Sequence, residues 1–98
     1  MKAYWINRAH VIDSESYQEY VKLAGPALQK LGGKFLVRGG EQVELEGGPF
    51  ERTVLIEFNS MKDALNAYNS DEYAEALKHS RDSSQRHVVI AEGFLSTI

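Results

Sequence analysis

Arg38 and Glu57 are the charged residues of this sequence best placed to do chemistry together. We expect the strands around them to form a hairpin that turns at Gly47-Gly48-Pro49, with one bulged residue at Gly39-Gly40. In that register Arg38 lies opposite Glu57, and a guanidinium can donate two parallel hydrogen bonds to a buried carboxylate. Such a pair is either a structural ion pair at a subunit interface or an anchor for a ligand carboxylate beside a catalytic Glu57.

The three histidines, His10, His79 and His87, come from different predicted elements and lack the spacing of metal ligands. We therefore expect no metal site and no cofactor. His10 lies on the same side of its strand as Tyr4 and Arg8, where an imidazole can act as a base near neutral pH. His10 is thus a candidate catalytic residue, and a position on the polar surface is the alternative for all three.

Three other side chains are candidate ligand-binding groups near a predicted break between two helical segments. Tyr68 and Tyr73 bracket this break, where their phenol groups either reach a cleft or pack in the core. Arg81, at the end of the second segment, either binds an anionic ligand or caps helix carbonyls. Ser70 is predicted to cap a helix rather than to act as a nucleophile.

The composition excludes several kinds of chemistry and of partner. None of the 98 residues is cysteine, which rules out disulfides, thiol nucleophiles and thiolate metal sites. The net charge is -3, from 11 basic and 14 acidic residues, and the absence of a basic cluster argues against nucleic acid as a partner. Residues 1–12 are too short and polar for a signal peptide or a membrane span, so we expect a cytoplasmic protein with no membrane partner.

Alternating strands and helices must position these residues. Residues 2–12, 34–46, 51–58 and 86–95 are predicted strands, the second one interrupted at Gly39-Gly40. A helix is predicted from Asp13 or Ser14 to Leu31, with a kink or a break at Gly25-Pro26. Two further helical segments are predicted to begin at Ser60 and Ser70.

This order, β-α-β-β-α-β, is typical of the ferredoxin-like α+β fold, in which helices cover one face of a four-stranded antiparallel sheet. The length predicts one domain over residues 1–98. In Val54 to Phe58 and Val88 to Ala91, neighbours that point to opposite faces are both largely apolar, so both faces need to be covered. We expect a homodimer in which the two open sheet faces meet and bury roughly 1,200 to 2,000 Å².

Motifs along nearly the whole chain carry a family resemblance. They are Gly32-Gly33, Arg38-Gly39-Gly40, Glu46-Gly47, Arg52, Ile56-Glu57-Phe58, Tyr68 with Ser70 and Glu72-Tyr73, Arg81, and Glu92-Gly93. Through them the chain resembles the small bacterial family known as domain of unknown function 1330. The resemblance implies a dimeric α/β-barrel, in which two ferredoxin-like sheets pack face to face. One departure is Asp82 after Arg81, an added acid that changes the charge of any pocket there.

The resemblance implies no established activity. The wider superfamily holds cofactor-independent monooxygenases, lactone isomerases, haem-handling enzymes and ligand-sensing domains, and the fold alone does not choose among them. One expected function is a cofactor-independent enzyme or binding protein for a small, carboxylated molecule, with a pocket between sheet and helices. This pocket is predicted to be lined by Arg38, Glu57, Tyr68, Tyr73, His10 and Arg81. The alternative is a non-catalytic ligand-sensing or dimerisation module.

Overall fold

The computed structural model describes residues 1–94, which form four strands and three helices. The strands are β1 (Ala3–Val11), β2 (Lys34–Arg38), β3 (Arg52–Phe58) and β4 (Ser84–Glu92). The helices are α1 (Ser14–Lys30), α2 (Met61–Tyr68) and α3 (Asp71–Ser80). The predicted order of elements is confirmed, although the predicted end of the last strand at Leu95 lies outside the described residues.

Each helix begins after a side chain that accepts a hydrogen bond from its first turn. The side chains of Asp13, Ser60 and Ser70 accept bonds of 3.3, 3.0 and 3.1 Å from backbone amides three residues further on. A cap of this kind contributes about 1 kcal/mol, because it satisfies an amide that has no partner within the helix. The predicted starts of α2 and α3 are confirmed, and the cap of α1 is Asp13 rather than Ser14.

Helix α1 continues through Pro26 to Lys30, so the predicted interruption at Gly25-Pro26 does not end it. Proline removes one hydrogen bond of the helix and crowds the preceding turn. Ala24, Ala27 and Leu28 are buried on either side of this position. Burial of this face therefore holds the segment helical in spite of its local preference. Within residues 1–94 no helix is long and apolar enough to cross a membrane.

The sheet has the strand order β2-β3-β1-β4, with antiparallel pairing throughout. The helices cover one face, and the core between them contains Trp5, Leu28, Ile56, Phe58 and Tyr73, each at most 2% exposed. The Trp5 ring meets the Tyr73 ring edge to face, with 5.0 Å between the ring centroids. Such a pair contributes about 0.5 to 1.5 kcal/mol of stability beyond the contribution of the surface area that it buries.

The other face of the sheet has an apolar centre. Ile6 of β1 is paired with Leu55 of β3 on one side and with Val89 of β4 on the other. Val37 of β2, paired with Leu55, extends this row. Val89 is 54% exposed and Val37 is 42% exposed, so the centre of this face is open in the single chain.

The predicted pairing of Arg38 with Glu57 is wrong. Lys34 lies opposite Glu57, and Arg38 lies opposite Val54 on the helix-covered face. The register shifts between Phe35 and Val37, so the irregularity is inside β2 and not at Gly39-Gly40. A shift of one residue moves a side chain to the opposite face, which is why Arg38 and Glu57 are on different sides of the sheet.

Residues 42–46, which were predicted to extend the second strand, form no strand. Side chains hold this segment instead: Gln42 donates to the Phe50 carbonyl at 2.8 Å and accepts from the Thr53 hydroxyl at 2.6 Å. Glu44 accepts from Arg8 and from the Phe50 amide. These bonds replace the predicted ladder and leave Val43 and Leu45 exposed.

Candidate functional site

A cavity of about 20 Å³ lies between α1 and the helix-covered face of the sheet. In this shape it has room for about one water molecule. Most of its wall is apolar or aromatic and consists of Trp5, Tyr17, Tyr20, Val21, Ala24, Gly25, Leu28, Phe35, Val54 and Ile56. The remaining wall is polar and comes from Asn7, Arg38 and Arg52.

Asn7 places an amide among apolar neighbours at the cavity wall. It alternates with Trp5 and Ala9 on the helix-covered side of β1 and is only 3% exposed. Its Oδ1 atom has no hydrogen-bond partner within residues 1–94. A buried acceptor without a partner costs about 1 to 3 kcal/mol, so this carbonyl is suited to a donor that a water or a ligand supplies.

Two more buried polar atoms at the cavity lack partners within the described part of the chain. They are the Tyr17 hydroxyl and Nε of Arg52. The guanidinium carbon of Arg52 lies 5.8 Å from the centroid of the Tyr17 ring. Gly39, at φ +70°, leaves space for this guanidinium, because a Cβ at that position would collide with it. The backbone after β2 therefore helps to hold Arg52 at the cavity.

Arg38 crosses the opening between β2 and α1. Its guanidinium carbon lies 4.3 Å from the centroid of the Phe35 ring. Its Nη2 atom lies so close to Gly25 that a Cβ on that glycine would collide with it. Within residues 1–94 neither Arg38 nor Arg52 has a carboxylate within 4.0 Å. The cavity thus has two guanidinium groups whose charge no carboxylate of the described residues neutralises.

Tyr20 connects the cavity to a second polar cluster in the core. Its hydroxyl lies 2.8 Å from the Tyr73 hydroxyl and accepts a hydrogen bond of 2.8 Å from Arg86. Arg86 also donates to the Tyr73 hydroxyl at 3.4 Å. The three side chains join α1, α3 and β4 beneath the helices.

The tyrosine hydroxyl groups at the cavity are neutral at pH 7. Burial raises the pKa of Tyr17, and the adjacent Tyr20 adds to this increase while Arg52 opposes it. Burial likewise raises the pKa of Tyr20 and of Tyr73, against the opposing charge of Arg86. The wall described above has neither a carboxylate nor a histidine. This arrangement suits hydrogen bonding and anion binding rather than proton abstraction.

The predicted catalytic residues lie on the opposite side of the sheet from the cavity. Oε2 of Glu57 accepts a 3.3 Å hydrogen bond from the Tyr4 hydroxyl, and Oε1 lies 3.8 Å from Nζ of Lys2. Nδ1 of His10 lies 3.0 Å from a carboxylate oxygen of Glu51. The predicted parity of His10 is confirmed, and its catalytic role, like that of Glu57, stays a prediction.

The predicted ligand-binding residues are divided among three places. Arg38 lines the cavity, and Tyr68 and Arg81 line a separate groove beside β4. Tyr73 is fully buried and lines neither of them. The six predicted residues therefore do not surround one pocket, because the register of β2 and the two sides of the sheet separate them.

Asn7, Tyr17 and Arg52 were not among the predicted site residues. Asn7 leaves a signal in the sequence, since it is the one polar residue between Trp5 and Ala9 on a side of β1 that faces the core. Tyr17 fits the apolar stripe of α1 and gives no such signal. Within residues 1–94 no cluster of His, Asp or Glu is arranged to hold a metal ion.

The strand order and the helix-covered cavity define a protein of the ferredoxin-like α+β class. A family model described as Domain of unknown function (DUF1330) matches residues 2–94, and the chain belongs to this family. The resemblance expected from the motifs is thereby confirmed. Among curated proteins none matches the sequence significantly.

Solved structures share the fold at low sequence identity. A protein of unknown function from Rhodopseudomonas palustris is 19% identical with a TM-score of 0.77, over 97% of this chain and 84% of that one. SnoaB from Streptomyces nogalater, described as a cofactor-independent oxygenase, is 9% identical with a TM-score of 0.65, over 98% and 96% of the two chains. A dimeric ferredoxin-like protein of unknown function from Thermobifida fusca is 17% identical with a TM-score of 0.57, over 92% and 89%.

Proposed function

We propose that this protein is a homodimeric binding protein for a small carboxylated molecule, which it holds in the cavity between α1 and the sheet. The observation that carries this proposal is the convergence on one cavity of three buried polar atoms that have no partner among residues 1–94, namely Asn7 Oδ1, Tyr17 hydroxyl and Arg52 Nε. A ligand with a donor and an anionic group would satisfy all three.

The distribution of charge at the cavity supports the proposal that the ligand is an anion. The chain has a net charge of -3, yet Arg38 and Arg52 have no carboxylate partner in the described part of the chain. A guanidinium binds a carboxylate through two parallel hydrogen bonds, and it does so more strongly where water is excluded. The apolar wall around Arg52 is such an environment.

The size of the cavity requires Arg38 to move when a ligand larger than water enters. Arg38 is exposed, and its guanidinium rests on Phe35 and next to Gly25 at the opening. Rotation of this side chain toward solvent would open the space between β2 and α1 without disturbing the core. Arg38 would then close over the carboxylate of the bound molecule.

The dimer is proposed to form through the open face of the sheet. Its apolar centre, at Ile6, Leu55 and Val89, is uncovered in one chain, and a second copy would cover it. The Thermobifida fusca neighbour is described as dimeric. Glu57 and His10 would lie at the edge of this interface. We therefore propose a role in dimer assembly for these two residues, in place of the predicted catalytic role.

Binding can be followed through Trp5, the single tryptophan of the chain, because its ring lines the cavity. Fluorescence titrations with small aromatic and aliphatic carboxylates, and with the corresponding neutral amides, test the proposal. We expect saturable changes for at least one carboxylate and for none of the amides. Arg52→Gln should weaken binding about tenfold or more, since it removes a charge-assisted hydrogen bond.

Lys62→Gln is the matched control, because it removes the same charge from an exposed position on α2. It should leave the affinity unchanged. Saturable binding that Arg52→Gln does not weaken, or the absence of saturable binding across the panel, would overturn the proposal. Since SnoaB is described as a cofactor-independent oxygenase, consumption of each bound compound in air is followed in the same samples.

A further inference from the structure

A groove on the helix side of β4 has two guanidinium groups that the cavity does not use. Its volume is about 380 Å³, and Arg81 and Arg86 line it together with Tyr68, Ser80 and Ser84. We propose that this groove is a second binding site, which takes the oxyanion group of a small molecule, a carboxylate or a phosphate. None of the groove's described lining residues is acidic.

Arg86 is a partly buried cation beside which an anion would be stabilised. Its hydrogen-bond partners within residues 1–94 are the hydroxyls of Tyr20 and Tyr73. Both phenols are neutral, because burial raises the pKa of each. No carboxylate of residues 1–94 lies within 4.0 Å of Arg86. A partly buried cation paired only with neutral groups is stabilised further when an anion binds beside it.

Arg81 supplies the second positive charge from the end of α3. Its backbone amide donates to the Leu77 carbonyl at 3.3 Å, so its backbone position is set, while its side chain is exposed. Asp82 follows it in the sequence but is exposed and does not line the groove. The added acid noted in the sequence therefore leaves the groove positive.

The carbonyl groups at the end of α3 do not repel an anion in the way that open carbonyls would. The Ser80 hydroxyl donates to the Leu77 carbonyl at 3.3 Å, and the Ser84 hydroxyl donates to the Ser80 carbonyl at 2.8 Å. These bonds partly neutralise the negative end of the helix dipole. The anion would bind to the guanidinium groups, whose planar donors match two oxygens of a carboxylate or a phosphate.

The groove is separate from the proposed cavity. Arg81 and Arg86 do not line the cavity, and Arg38 and Arg52 do not line the groove. The hydroxyl pair of Tyr20 and Tyr73 lies between them. This inference therefore stands whether or not a carboxylated molecule binds in the cavity.

Titration with inorganic phosphate and with acetate at constant ionic strength tests the site by amide NMR. We expect saturable shifts centred on the backbone amides of residues 80–86 and on the side chain of Arg86. Arg81→Gln, at an exposed position, should weaken the affinity about tenfold, and Arg86→Lys should also weaken it because the planar fork is lost. A preference for phosphate or for acetate would show which oxyanion group the groove binds. Saturable binding of either one supports the proposed site.

Two control variants distinguish binding in the groove from general electrostatic attraction and from binding in the cavity. Lys78→Gln removes a charge from an exposed position on the same helix and should leave phosphate binding unchanged. Arg52→Gln should weaken carboxylate binding in the cavity but leave the shifts at residues 80–86 intact. Shifts that are spread over the surface, or an equal effect of Arg81→Gln and Lys78→Gln, would overturn the inference.

Discussion

The hydroxyl oxygens of Tyr20 and Tyr73 lie 2.8 Å apart, at the point where α1 and α3 pack over the sheet. Arg86 reaches both from β4, so that one hydrogen-bonded cluster joins three elements and separates the cavity from the groove. Because the guanidinium is partly buried, each hydroxyl contributes both to stability and to the placement of a charge.

Tyr20→Phe should destabilise the protein by about 1 to 3 kcal/mol, because Arg86 and Tyr73 each lose a buried hydrogen-bond partner. The measurement is the free energy of unfolding in urea. Tyr68→Phe is the control, since Tyr68 is 37% exposed and its hydroxyl takes no part in this cluster. It should change stability by no more than about 0.5 kcal/mol. Equal effects of the two variants would show that the cluster does not stabilise the fold.

Asn7→Leu should leave the unliganded protein as stable as before or more stable by about 1 kcal/mol. The amide oxygen has no partner within residues 1–94, and an apolar side chain of similar shape removes that cost. The same change should abolish the fluorescence response of Trp5 to carboxylates. Thermal unfolding measures the stability and titration measures the binding. A change that maintains or raises stability while it abolishes binding is typical of residues kept for function. Asn66→Leu, on the exposed face of α2, should alter neither measurement.

Glu51 should contribute to stability above about pH 4.5 and lose this contribution as the pH falls toward 2. A hydrogen bond from the Val11 amide, together with one from His10, lowers the pKa of its carboxyl from 4.5 to about 2. A carboxylate whose pKa is lower in the folded state favours folding only while it is ionised. Glu51→Gln should therefore lose less stability than the wild type between pH 5 and about pH 2.

The measurement for Glu51 is the urea midpoint as a function of pH. Glu46→Gln is its control, because Glu46 is exposed in the same loop and forms no ion pair within residues 1–94. Identical pH profiles for the two variants would mean that the bonds to Val11 and His10 do not hold the loop.

Val89→Glu should convert the proposed dimer into a monomer at micromolar concentration. Val89 is 54% exposed on the open face and is paired with Ile6 at its apolar centre. A buried and unpaired carboxylate there opposes association strongly. Sedimentation equilibrium measures the result, with Leu65→Glu on α2 as a control that should remain dimeric. A dimer that tolerates Val89→Glu but not Leu65→Glu would place the interface on the helices.

Local chemistry determined the elements of this fold. The capping side chains at Asp13, Ser60 and Ser70, and the alternation of apolar residues in the strands, act between residues close in sequence. For that reason the order of strands and helices, and the side of β1 on which His10 lies, could be predicted from the sequence by itself. The family resemblance followed from motifs of the same kind.

Only the tertiary structure decided which polar residues meet. The irregularity in β2 lies between Phe35 and Val37, and it places Arg38 on the cavity side of the sheet, away from Glu57. Asn7, Tyr17 and Arg52 belong to three different elements and converge through packing at long range. Register and convergence depend on contacts between residues distant in sequence, which no local pattern encodes.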